Sequence, residues 1–253
     1  VPAPTVTLVI PAYREGARLP PLLTALVAEA PAAPSPAVEL LVVDDGSGPA
    51  ERAREEEAVR AAQEALARSG APHRARFVAA PANRGKGAAI RLGWASADPG
   101  AQWLGFLDAD GAVSAREAWR LVRLLPALAE VDVLAGTRIL MAGRSIRRSA
   151  LRHLQGRVFA TMVEHAFRLG FYDTQCGLKL IRAAALRPLL PRLAEDRWLL
   201  DVEVLVLLAR GGARLREEPI DWADPGGSKL VPGLDALRMA AGLRRLRRRL
   251  DGA

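Results

Sequence analysis

Short apolar runs alternate along the chain with longer stretches in which apolar residues return at helical spacing. Val6-Thr7-Leu8-Val9-Ile10 is continuous and rich in β-branched residues, and Pro11 predicts where that strand ends. Residues 15–30 then carry Leu19, Leu22, Leu23, Leu26 and Val27 on one helical face. After the proline-rich connection from Pro31 to Pro36 the alternation repeats. It predicts a strand over 39–43, a charged, alanine-rich helix over 50–67, a short strand over 76–79 and a helix over 85–97. A strand over 103–107, a helix over 115–129 and a strand over 131–135 follow. Strands and helices in this order predict an α/β fold, a doubly wound, mostly parallel sheet flanked by helices.

Beyond Thr137 the pattern changes. Residues 143–149 are basic and irregular, and 150–169 read as a helix with Leu151, Leu154, Val158, Met162 and His165 near one face. Residues 201–210 form another apolar helix, and 213–222 alternate as an edge strand does. Near the end, Ala236, Met239, Leu243, Leu246 and Leu250 share a helical face, while Arg244, Arg245, Arg247, Arg248 and Arg249 occupy the rest. A basic amphipathic helix of this type lies on anionic bilayers; a terminal helix packed on the core with a solvated arginine face reads the same. The expected organisation is one domain over 1–230 followed by the basic amphipathic helix over 231–253.

Composition adds limits. With 253 residues, half of them hydrophobic and a quarter charged, the chain can bury one large core. No apolar run reaches bilayer length and no signal-peptide pattern opens the chain, so the expected location is the cytoplasm, or peripherally the cytoplasmic face of a membrane. A net charge of +8 attracts anions: nucleic acid, lipid headgroups or phosphorylated substrates. A codon-biased, arginine-rich genome gives the same charge without any partner. Aromatic residues are few and not interleaved with the basic ones, which argues against a nucleic-acid partner. The single cysteine, Cys176, reads as a small buried hydrophobe, and His73, His153 and His165 show no metal-ligand spacing.

The chemistry sits where strands end. Val42-Val43-Asp44-Asp45-Gly46-Ser47 and Leu107-Asp108-Ala109-Asp110-Gly111 are apolar runs that break into acids and glycine, as a buried parallel strand does at its carboxyl edge, where such sheets bind ligands. An Asx turn that caps a helix also accounts for the first motif. In the second, carboxylates one residue apart repel, a cost a cation or bound ligand offsets. Pro11-Ala12-Tyr13-Arg14-Glu15 offers a ring for a nucleobase and a carboxylate for a ribose hydroxyl or a helix start. Asn83-Arg84-Gly85-Lys86-Gly87 supplies cations and close backbone approach for phosphate, or forms an ordinary solvated turn. Neither a P-loop nor a Gly-x-Gly-x-x-Gly after the first strand is present, which removes the main support for ATPase or dehydrogenase chemistry.

In this order these motifs resemble family 2 glycosyltransferases of the GT-A fold. Asp173-Thr174-Gln175-Cys176-Gly177-Leu178-Lys179, Arg197-Trp198-Leu199-Leu200-Asp201-Val202-Glu203 and Gly227-Ser228-Lys229-Leu230 resemble the dolichyl-phosphate β-glucosyltransferase branch. The resemblance implies inverting transfer of a hexose, from UDP-glucose, to a dolichyl or polyprenyl phosphate, with Mg2+ or Mn2+. The alternatives are GDP-mannose or a soluble hydroxyl acceptor within the family, a catalytically silent relative that only binds nucleotide sugar, and, outside the family, a nucleic-acid-binding protein. By position, Pro11, Tyr13, Glu15, Val43, Asp45, Lys86, Asp108 and Ala109 would hold the nucleotide sugar and Asp110 the metal. Ala112 stands where mannosyltransferases of the family often place a second ligand, which leaves Asp110, the diphosphate and waters, and disfavours mannose. Arg138, Asp201 and Lys229 are the implied catalytic residues, with Asp201 a general base if the acceptor is a hydroxyl or else an ion-pair partner of Arg197. Arg138, Arg148, Ser228 and Lys229 would cradle a lipid phosphate, which is already a nucleophilic dianion. A peripheral, anionic membrane surface completes the expected set of partners.

Overall fold

The computed structural model describes residues 5–32, 35–224 and 234–252. The expected β-α alternation is present as β1 (Val6–Ala12), α1 (Leu19–Ala28), β2 (Val38–Asp44), α2 (Pro49–Ser69), β3 (Arg74–Ala79), α3 (Lys86–Ala95), β4 (Trp103–Leu107), α4 (Ala115–Leu124) and β5 (Val133–Thr137). The first strand continues through Pro11 to Ala12, because it pairs with β2 in parallel along its whole length. Then come β6 (Ile146–Arg147), α5 (Ala150–Phe167), β7 (Leu178–Arg182), α6 (Ala183–Leu186), α7 (Leu200–Arg210), β8 (Leu215–Pro219), β9 (Trp222–Ala223) and α8 (Leu234–Asp251).

The main sheet runs β3-β2-β1-β4-β7-β5-β8, and β6 pairs with β9 apart from it. Strand parity divides the core. Val6, Leu8 and Ile10 of β1 face α1, α2 and α4, whereas Val9, with Leu41 and Val43 of β2, faces α3, α5, α7 and α8. Each fully buried leucine or valine contributes roughly 1.5–3 kcal/mol to this packing. Gly93 lets α3 lie close on the sheet: a Cβ there would come within 2.5 Å of Val9.

Three features are left open or misread in the sequence. β4 and β5 are not neighbours; β7 enters between them, antiparallel to both. Its short run of Leu178, Leu180 and Ile181 is interrupted by Lys179 and follows a polar cluster, which hides its strand character. Along α5, Leu154 and Val158 are exposed, and Phe159, Ala160 and Val163 carry the burial. Phe159 sets that rotation by packing edge-on against Trp198, 5.7 Å between centroids. In α8, Leu243, Leu246 and Leu250 are buried in the core, so the apolar face that would enter a bilayer is already packed on protein. The expected boundary after residue 230 lies outside the described residues. Among the described residues no helix is long and apolar enough to cross a membrane.

Candidate active site

Parallel strands deliver their last residues to one edge, and β1, β2 and β4 end side by side there. Pro11, Ala12, Tyr13, Glu15, Arg18, Asp45, Lys86, Asp108, Ala109 and Asp110 line a cleft of about 210 Å³ at that edge. A larger open depression, about 840 Å³, lies between α5 and the ends of α7 and α8 and contains none of the strand-end acids.

The turn after β2 separates its two aspartates. Asp44 accepts the Ser47 N–H at 2.7 Å and pairs with Arg52 at 2.9 Å, so it is a structural Asx turn. Asp45 accepts from Asn83 Nδ2 at 2.9 Å, Arg84 N at 3.0 Å and Gly85 N at 2.7 Å, which fastens the Asn-Arg-Gly-Lys-Gly loop to the cleft. The glycines of that loop serve a close approach to protein backbone: a Cβ on Gly85 would lie 2.6 Å from the Asp196 carbonyl oxygen, and one on Gly87 2.6 Å from that of Arg197. Glu203, fully buried, holds this facing segment by accepting the Ala194 and Glu195 N–H groups at 3.0 and 2.9 Å. Arg249 of α8 in turn donates to Glu203 at 2.7 Å. The C-terminal helix therefore braces the site from behind.

Lys86 settles how the acids after β4 coexist. Its Nζ lies 2.6 Å from Asp108 Oδ1, so the cation offsetting their repulsion is a lysine of the chain itself. Burial pulls the Lys86 ammonium down, but Asp108, Asp201 and Asp110 outweigh it and hold it above the usual lysine range. The Asp108 carboxylate rests against Gly177, where a Cβ would come within 2.4 Å of Oδ2. Asp110 accepts the Ala112 N–H at 3.0 Å through Oδ1, leaving Oδ2 for another cation. No cluster of three or more His, Cys, Asp or Glu able to hold a metal occurs among the described residues. A hard divalent cation here would thus rest on Asp110, with its remaining oxygens from ligand and water, a donor set that suits Mg2+ or Mn2+.

Tyr13 is half exposed at the rim with Arg14 stacked 5.1 Å from its ring centroid. Burial holds the Glu15 carboxyl above its usual range, against the pull of Arg18, which donates to it at 2.6 Å. Strand parity turns the Val43 side chain into the core, 3.1 Å from where a Gly93 Cβ would stand, so it is the backbone of Val43 that faces the strand end. Asp201 pairs not with Arg197 but with Lys179, at 2.6 Å and almost wholly buried. Lys179 also donates to the Cys176 carbonyl at 2.8 Å. Cys176 is fully buried, which pushes its thiol up to about 12 and makes it inert. His73 is structural too, accepting the Val38 N–H at 3.2 Å and lying against Trp119.

Arg138 is held elsewhere on the edge by Asp173 in a bidentate pair, at 2.6 and 2.8 Å. Burial opposes the charge on Asp173, but Arg138 and Lys179 hold its carboxyl below the usual range. Arg148 reaches the Arg138 carbonyl at 3.3 Å and has no carboxylate in ion-pair contact among the described residues. Burial and repulsion from Arg138 lower its pKa. Ser228 and Lys229 lie outside the described residues. Sequence reasoning gave Asp173 and Lys179 no role beyond the motif that contains them, and missed the Glu51 and Glu55 pair of α2, which had a signal in its helical spacing next to the first acidic motif.

The profile described as glycosyl transferase family 2 matches residues 7–190. The chain belongs to that family. Its relatives include a dolichyl-phosphate beta-glucosyltransferase of Trichomonas vaginalis, 31% identical over 91% of this chain and 69% of the relative. The Homo sapiens dolichyl-phosphate beta-glucosyltransferase is 31% identical over 100% of this chain and 78% of its own length. Among solved structures, glucosyl-3-phosphoglycerate synthase from Mycobacterium tuberculosis, in complex with Mn2+, UDP and glucosyl-3-phosphoglycerate, superposes with a TM-score of 0.62. That match has 17% identity and spans 96% of this chain and 78% of that one. It shows the GT-A fold for this family 2 chain.

Proposed function

We propose that this chain transfers glucose from UDP-glucose, with inversion, to the phosphate of a dolichyl or polyprenyl phosphate. The observation that carries the reading is the meeting of Lys86, Asp108 and Asp110 with Tyr13 and Glu15 at one sheet edge, in a chain 31% identical to named dolichyl-phosphate beta-glucosyltransferases. In this reading Tyr13 stacks on the base, Glu15 takes the ribose, Pro11, Asp45 and Ala109 shape the nucleoside pocket, and Asp108 meets the sugar. Asp110 would hold Mg2+ or Mn2+, which when bound would supply positive charge to offset the negative charge of the diphosphate. Lys86 stands beside the same growing charge, so its contribution is larger in the transition state than before it.

The acceptor follows from Asp201 and Arg148. A hydroxyl acceptor needs a base, and the Oδ1 of Asp201 is occupied by a buried ammonium. A lipid phosphate, with a second pKa near 6, needs no such base; it needs cations that position it. Arg138 and Arg148, with Ser228 and Lys229, supply them in this reading, and the phosphate oxygen attacks the anomeric carbon opposite UDP. The reading includes a peripheral place at the cytoplasmic face of an anionic membrane and no nucleic-acid partner. Incubation with radiolabelled UDP-glucose and polyprenyl phosphate should give a lipid-soluble product that disappears with EDTA. Label in a water-soluble product instead overturns the lipid acceptor, and no transfer from any UDP- or GDP-sugar overturns the reading entirely.

A further inference from the structure

The loop that carries Tyr13 and Glu15 is held from beneath by a device the donor chemistry does not use. Arg14 adopts φ +57°, a left-handed conformation costly for a side chain larger than glycine. Alternation of ordinary and left-handed residues turns successive N–H groups toward one side, which makes a concavity suited to an anion. Here the concavity faces α2. Arg14 N donates to Ser47 Oγ at 2.9 Å, Glu15 N to Glu55 Oε1 at 2.8 Å, and Gly16 N to Glu51 Oε2 at 3.1 Å. Glu51 and Glu55 are one helical turn apart, so a single face of α2 meets two of these consecutive amides, and Ser47, in the turn before the helix, meets the third.

Glu55 is the costly member. Its side chain is fully buried, and its second oxygen, Oε2, has no hydrogen-bond partner. Such a group works against folding unless it is kept for another reason. We propose that Glu55 is a positioning residue for the nucleotide-sugar donor, holding the strained Arg14–Gly16 amides so that Tyr13 and Glu15 stand ready in the cleft. The proposal rests on the donor reading given above.

Burial, with Asp44, Glu51 and Glu15 as acidic neighbours, pushes the Glu55 carboxyl up to about 7. The charges around it are Glu51, paired with Arg54, on its own helix; Asp44, paired with Arg52, at the end of β2; and Glu15, paired with Arg18, with Arg14 on the loop. The ionised carboxylate is the stronger acceptor for the Glu15 N–H. Acidification through neutrality therefore weakens the hold, and donor affinity falls with it.

The test compares wild type, Glu55→Gln and Glu55→Ala by calorimetric titration with UDP-glucose and Mn2+ at pH 6 and pH 8, and by amide hydrogen exchange over residues 13–16 without ligand. Wild type should bind more tightly at pH 8. Glu55→Gln, which keeps an acceptor of the same size, should lose that pH dependence and match wild type at pH 6. Glu55→Ala should weaken donor binding about tenfold and expose the loop amides, raising the donor KM while kcat changes little. A wild type that binds, alongside a Glu55→Ala or Glu55→Gln variant indistinguishable from it at both pH values, overturns this inference alone. A wild type that binds no UDP-sugar overturns the donor reading and this one with it.

Discussion

Two lysine–aspartate pairs flank the Phe106 ring, and they differ in one respect. Lys86 meets Asp108, and Lys179 meets Asp201, each at 2.6 Å, with both ammonium groups about equally far over the ring at 5.1 and 5.2 Å. The first pair is about one-third open to the cleft, with side chains 31% and 28% exposed; the second is closed, at 1% and 4%. An open pair exchanges partners when an anion or cation arrives. A closed pair cannot, because separating it leaves a charge in a medium that does not solvate it. The same chemical unit is thus open to exchange in one place and a fixed support in the other.

Removing Lys179 is the strongest way to break that distinction. Lys179→Ala should cost about 3–5 kcal/mol of folding stability, read from urea unfolding, because Asp201 is left buried and alone. Replacing both partners, with Lys179→Met and Asp201→Leu, should recover most of it. A Lys179→Ala protein as stable as wild type would abolish the contrast. Lys86→Ala should do the reverse, lowering glucosyl transfer about 10²–10³-fold. Its stability should change by less than about 1 kcal/mol, as for a solvent-accessible pair.

Asp110→Asn sharpens the open side further. Activity should then need at least about tenfold more Mn2+, since even outer-shell changes at metal sites cost that much. The smallest effect asks how a buried carboxylate behaves with no lysine at all. Glu55, held at about 7 against 4.5 when unfolded, binds its proton more tightly in the native state. Its contribution to stability is present below pH 4.5 and lost as pH rises through 7. Glu55→Gln should therefore raise the melting temperature by a few degrees at pH 8 and leave it unchanged at pH 4.

The contrast also marks what could be read from the chain. The placement of Asp108 and Asp110 was legible because a residue just past a parallel strand is placed by the strand itself, whatever the rest of the fold does; Lys86, which opens α3, was marked instead by the glycines on either side of it. The direction of the Val43 side chain was legible by parity: it shares the core face of Val9 and Leu41, which alternation along β2 already implies. Lys179 was not legible as a partner of Asp201. That pairing depends on where β7 inserts, a tertiary choice that no local period records. Leu154 and Val158 misled differently, since an apolar residue signals burial only where something covers it. The arginines of α8 kept two readings open until the packing of Leu246 and the reach of Arg249 to Glu203 gave the helix a place on the domain.

The insertion of β7 sets a timetable for the molecule. A nascent chain that has emerged only through β5 owns two strands, β4 and β5, with an empty lane between them and both apolar margins bare. The segment that fills the lane also brings Gly177, on which Asp108 rests, and Lys179, which neutralises Asp201. Closing the sheet and arming the cleft therefore wait on the same segment, which follows β5 in the chain. In refolding, recovery of glucosyl transfer should keep pace with closure of that seam, with no active species preceding it.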